Sequence, residues 1–141
     1  MADVVAQPTL GTFVHQEHDF RASPKRVYEA LLDEEQFAAF SGAPAEIQRA
    51  AGGSFSLIRG RVTGRNVELL ANQRIVQAWR VVPWEPGIYS IVRFELIPKA
   101  DGTRLVLDHS GFPPEDVAAR HQGWQRVYFE PLRKYLEEQS K

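Results

Sequence analysis

The chain has 141 residues, 43% hydrophobic and 25% charged, the balance of an ordinary globular domain rather than of a disordered chain. Seventeen basic residues against eighteen acidic ones leave a net charge of -1, which supplies no long-range field for nucleic acid or an anionic membrane surface. With no cysteine there is no disulfide, thiol nucleophile or thiolate metal site. No apolar run approaches the roughly 20 residues that span a bilayer, and the start MADVVAQPTLGTF lacks the blocks of a secretion signal, so a cytoplasmic location is expected.

Residues 1–12, small and polar with Pro8 and Gly11, are expected to form a flexible tail ahead of a single domain over 13–141. Val14, Gln16, His18 and Phe20 alternate with His15, Glu17 and Asp19, which predicts a half-buried strand. Ser23 before Pro24 is a helix start, a capping hydroxyl followed by a residue whose fixed φ suits the first turn. Val27, Tyr28, Leu31 and Leu32 then recur at helical spacing, and Phe37 and Phe40 continue to Ser41 and Gly42, so two short helices are predicted.

From Gly52 to Phe112 the pattern becomes strand-like in SFSLIR, VTGRNVELL, RIVQAWRVV, IYSIVRFELIP and TRLVLDHSGF. Gly60, ANQ, PWEPG and ADGT separate these runs as the turns of an antiparallel meander. After FPPED, Trp124, Val127, Tyr128, Leu132, Tyr135 and Leu136 return to the helical period and predict a long amphipathic helix. Pro131, inside that stripe, is expected to bend or divide it. The layout is α+β.

Strand parity sorts the polar residues. His15 and His18 point to opposite faces of a strand, as do Asp108 and His109, so neither a metal pair nor an acid–base dyad follows from their spacing. Gln77 shares a face with Ile75, Trp79 and Val81, opposite Arg74 and Arg80, which makes it a buried amide in need of a partner. Gly52–Gly53 and Gly60–Gly64 lack the strand-to-helix setting of a phosphate loop, and the carboxylate pairs Glu34–Glu35, Glu115–Asp116 and Glu137–Glu138 fall at helix ends. Neither a metal nor a cofactor is expected.

The segments GGSFSLIRGRVTGRNVELLANQRIVQAWR, Trp84 to Ser90, GTRLVLDHSGFP and GWQRVYFEPL, in this order, resemble the C-terminal domain of the activator of the ninety-kilodalton heat-shock chaperone's ATPase and its single-domain relatives. The resemblance runs from Phe13 onward and implies a helix-grip fold of the START-related, birch-pollen-allergen-like and polyketide cyclase superfamily: a curved antiparallel sheet wrapped around the long last helix. It also implies a cavity between the two, suited to a small apolar ligand such as a lipid, polyketide or aromatic metabolite. Parity, helix face and that architecture together mark His18, Phe55, Leu57, Gln77, Trp79, Phe94, Leu107, His109, Trp124 and Tyr128 as the expected lining. The resemblance further implies a heat-shock chaperone as a partner in stress response, although the activator's separate N-terminal domain has only residues 1–12 in its place here. A cyclase-type enzyme using His18 or His109 is the third reading. A non-catalytic ligand-binding protein comes first, because apolar walls with few polar groups bind rather than react.

Overall fold

The computed structural model describes residues 13–139; the expected tail over 1–12 lies outside them. Strand β1 (Phe13–Phe20) is followed by α1 (Pro24–Leu32) and α2 (Glu34–Ser41). Ser23 caps α1, its hydroxyl accepting from the Arg26 N–H at 3.2 Å with Pro24 in the first turn, and Asp33 caps α2 through the Gln36 N–H at 3.0 Å. A short β2 (Glu46–Ile47) leads into β3 (Ser54–Leu57), β4 (Val62–Leu70), β5 (Arg74–Val81), β6 (Ser90–Lys99) and β7 (Gly102–Ser110). These strands form one antiparallel sheet in the order β1-β7-β6-β5-β4-β3-β2, so the meander runs consecutively and β1 closes beside β7. This is the helix-grip arrangement that the sequence predicts.

The inner face follows from the period of two. Val14, Leu105, Leu107, Val92, Phe94, Ile75, Trp79 and Val81 are buried on it, while His15, Glu17, Arg93 and Arg104 face outward. In β4 the alternation breaks at a bulge between Asn66 and Glu68, so Val67 turns out to solvent. Gly64 lies beside Trp79 in the ladder, where a Cβ would meet the Ala78 carbonyl and the Phe55 ring; the absence of a side chain is what lets β4 approach β5 at this point.

The last helix lies across the inner face. A 3-10 turn (Pro114–Asp116) precedes α3 (Val117–Gly123), a π-helical segment (Trp124–Phe129) and α4 (Glu130–Gln139). Pro131 explains the division. Its ring cannot donate a backbone hydrogen bond and crowds the carbonyl four residues back, but it suits the first turn of a new α segment. The wider turn before it, in which the Glu130 N–H reaches back to the Gln125 carbonyl, shifts the phase of the helix. Phe129 is thereby fully buried beside Trp124 and Tyr128, whereas Val127, expected on the buried stripe, is 42% exposed.

Trp124, Tyr128, Phe129, Leu132 and Leu136 all bury against the sheet and α2. At about 1.5–3 kcal/mol for each large apolar side chain, their sum rivals a domain's whole net stability of about 5–15 kcal/mol. A chain ending at Gly123 is therefore expected to lose its cooperative unfolding transition in circular dichroism melts; a truncated chain that melts cooperatively near the parent temperature refutes this role for the helix.

Candidate functional site

Ten residues expected to line one cavity divide in the structure into a polar-linked core and an open crevice. In the core, His109 is fully buried, with Nε2 2.7 Å from the Ser90 hydroxyl and Nδ1 3.0 Å from Trp124 Nε1. The indole N–H can only donate, so Nδ1 of His109 carries the lone pair and Nε2 carries the proton, which it donates to Ser90. Burial, reinforced by the Arg120 guanidinium, holds this imidazole down to about 3, and it stays neutral.

Gln77 is likewise satisfied within the chain. Its Oε1 accepts from Trp79 Nε1 at 3.0 Å, its Nε2 donates to Asn66 Oδ1 at 3.0 Å, and Asn66 donates in turn to the Gln48 carbonyl at 3.0 Å. Asn66, fully buried just before the bulge and in phase with Val62 and Gly64, is a hub whose hydrogen-bond partners the period alone does not reveal. Phe55, Leu57, Phe94 and Leu107 are buried in the hydrophobic core and do not line the crevice. A larger side chain at Leu107, which has no exposed surface, overpacks that core.

His18 sits at the other end of β1. It donates from Nε2 to Gln16 Oε1 at 2.8 Å and packs its ring 4.3 Å from that of Phe129. Gln16 continues the link to the last helix through the His121 carbonyl at 2.9 Å. Burial, then the charge of Arg133, lowers His18 to about 4. Asp108, adjacent to His109 in sequence, points outward and pairs with His15 Nδ1 at 2.7 Å and with Arg93 at 3.1 Å, so no acid orients the buried histidine.

The crevice has a volume of about 360 Å³ and opens between the sheet and the N-terminal part of the last helix. Trp79 and Val81 of β5, Val62 of β4, and Ile58 and Arg61 of the turn between β3 and β4 form one side. Arg120, Gly123, Trp124, Val127 and Tyr128 of the helix form the other. Trp79, Trp124 and Tyr128 thus join the expected lining to the observed crevice. Trp79 and Trp124 stack with ring centroids 4.8 Å apart, and both indole N–H groups are already bonded, which leaves apolar ring surface. The spacing of Arg120, Trp124, Val127 and Tyr128 was a readable signal for a shared helix face. Ile58 and Arg61 carried none, because Ile58 (φ 54°), Arg59 (φ 56°) and Gly60 (φ 81°) turn through the left-handed region, where a β-branched residue costs about 1–2 kcal/mol. Among the described residues no group of three or more His, Cys, Asp or Glu comes together to hold a metal ion.

The two inner histidines set an acid limit on stability. Their folded-state affinities for protons lie below the ordinary 6.5, so the unfolded chain binds more protons and stability falls as pH drops below about 6.5. His15, raised chiefly by its hydrogen bond to Asp108, acts above that pH, and Glu29 and Glu68, lowered by Arg49 and Arg74, act below their ordinary 4.5. Between about pH 6 and 4.5, His109 alone contributes up to about 1.4 kcal/mol per pH unit. Urea unfolding across this window is expected to show a shallower pH slope for His109→Gln than for the parent chain; an unchanged slope refutes the neutral buried imidazole.

The family model of the activator of Hsp90 ATPase homolog 1-like proteins matches residues 21–137. Human activator of 90 kDa heat shock protein ATPase homolog 1 is 32% identical over 114 residues, which cover 81% of this chain and 34% of that protein. An HSP90 activator from Plasmodium falciparum superposes with a TM-score of 0.82 at 25% identity, covering 89% of this chain and 96% of the other. The Aha1 dimer from Colwellia psychrerythraea shares the fold, with a TM-score of 0.76 at 18% identity and coverage of 89% and 96%. The chain spans about a third of the length of the curated relatives it matches. A family match over most of the chain, on the fold just described, makes this protein a member of the activator of Hsp90 ATPase homolog 1-like family.

Proposed function

We propose that this domain binds a small, largely apolar molecule in the crevice between β4, β5 and the last helix, without transforming it. The observation that carries this reading is the open 360 Å³ space walled by the stacked Trp79 and Trp124, whose polar edges are bonded elsewhere. Such a volume falls at the lower end of the roughly 300–1,000 Å³ of small-molecule sites. Binding is favoured over catalysis because both nitrogens of His109 are occupied, one as acceptor and one as donor, and neither is free to take a substrate proton.

A second reading, modulation of a chaperone ATPase in stress response, draws on the names of the relatives and on an outward apolar group. Phe13 and Ile91 flank Ser110 in the ladder and are 47% and 46% exposed, with Tyr89 at 55% one strand end away. Monomers seldom leave such side chains together without a partner.

Gly123 separates the two readings. It lines the crevice, has helical φ, and an added Cβ meets nothing within 4 Å, so Gly123→Leu fills the space while removing a helix glycine that costs about 0.5–1 kcal/mol. The variant is expected to melt at or above the parent temperature, and native mass spectrometry of freshly purified protein should show a co-purifying small molecule on the parent that the variant lacks. If parent and variant carry the same species, the crevice is not the binding site. If Ile91→Asp, and not Gly123→Leu, abolishes stimulation of a heat-shock chaperone's ATPase, the second reading takes precedence.

A further inference from the structure

Two guanidinium groups border the apolar crevice without a salt bridge to a carboxylate among the described residues. Arg49, Arg74, Arg93 and Arg104 each form a salt bridge with an aspartate or glutamate; Arg61 and Arg120 form none among the described residues. Arg61 is exposed at the rim. Arg120 is half-buried, and its Nε is buried with no hydrogen-bond partner. A buried polar group left in this state costs about 1–3 kcal/mol, and more when charged. Burial works against the Arg120 cation; the charge of Asp116 offsets this in part without forming a salt bridge, its Oδ2 being engaged by Trp84 Nε1 at 2.5 Å, and the charge of Arg61 adds to the opposition. The turn that carries Arg61 to this rim is itself held in the left-handed region, a kind of strain that clusters at ligand clamps.

We infer that the crevice takes a compact apolar monocarboxylate, with its carboxylate on Arg120, Arg61 closing the rim, and its body against Trp79 and Trp124. This rests on the crevice being a ligand site. The guanidinium fork matches a planar carboxylate, and the bond formed is charge-assisted. A neutral occupant desolvates Arg120 further and returns at most a hydrogen bond to an uncharged acceptor, weaker than one to a carboxylate. Asp116 already acts on Arg120, so against the two guanidinium groups one further negative charge brings the site to balance. The limited volume favours a short, ring-bearing acid over a long acyl chain.

Isothermal titration calorimetry with 2-naphthoate and its neutral counterpart 2-naphthalenemethanol tests this. The parent chain is expected to bind the acid at least about tenfold more tightly than the alcohol, with added salt weakening only the acid. Arg120→Gln should bring the acid down to the alcohol's affinity and leave the alcohol unchanged. Arg61→Gln, at an exposed position, should lower the acid's affinity severalfold, and it keeps the test informative should Arg120→Gln fail to fold. Equal binding of acid and alcohol by the parent, or an acid preference that survives both substitutions, overturns the anionic assignment and leaves the crevice standing as an apolar site. If neither compound binds, the crevice reading and the carboxylate fall together.

Discussion

The hydrogen bond from Trp124 Nε1 to His109 Nδ1 joins the last helix to the middle of the sheet at a fully buried point. Its direction is forced, since an indole N–H has nothing to accept with, and so it sets the tautomer of His109 and sends the other ring proton to Ser90. Three elements are pinned by one imidazole: β6 through Ser90, β7 through His109 and the helix through Trp124. Protonation turns both nitrogens into donors and opposes the indole, so the interaction also ties helix docking to the neutral state of the ring. The position of Trp124 then fixes its stacking on Trp79, which is one wall of the crevice.

The rest of the space under the helix is filled by aromatic packing rather than left as a chamber. Phe94, Tyr128 and Phe129 meet Trp124 with ring centroids 4.6–5.6 Å apart, and Phe37 and Phe40 reach Tyr128 from α2. The π-helical segment is what admits Phe129 to this cluster, and it moves Val127 outward to the rim of the crevice. A proline that cannot continue an α-helix from within thus shapes the boundary between closed core and open space. The crevice persists where Gly123 contributes no side chain and the turn between β3 and β4 joins the strands on the sheet side.

How far this was legible in the sequence depends on whether a residue obeys a simple period. Strand parity placed Trp79, Gln77, Leu107 and His109 on the inner face, because the register of β5, β6 and β7 is regular throughout. In β4 it holds only from Val62 to Asn66, since a bulge then adds a residue and turns Val67 and Glu68 outward together, and it says nothing of the bonds Asn66 makes. Helical spacing found Trp124, Tyr128, Leu132 and Leu136 but not Phe129, whose burial needs a turn wider than 3.6 residues. The two-residue β2 is too short to carry any period. The left-handed path through Ile58 and Arg59 contradicts the strand propensity of isoleucine, and only tertiary contacts reveal that Arg61 reaches the crevice.

The two functional readings occupy opposite sides of the same sheet, and this follows from pleating. Along β6, Val92 and Phe94 face the helix with no exposed surface, so Ile91 between Ser90 and Val92 must point away. Along β1, Val14 is buried and Phe13 is exposed for the same reason. A molecule in the crevice and a protein seated on Phe13 and Ile91 therefore do not compete for side chains, and a substitution that fills one site leaves the other intact. Two polar routes join them: Ser90, next to Ile91, reaches Trp124 through His109, and a second route runs through the loop after β5. There Arg80 holds the Trp84 carbonyl at 2.6 Å and Trp84 bonds Asp116 beside Arg120. That short chain of polar contacts links the loop preceding Tyr89 to the charged edge of the crevice.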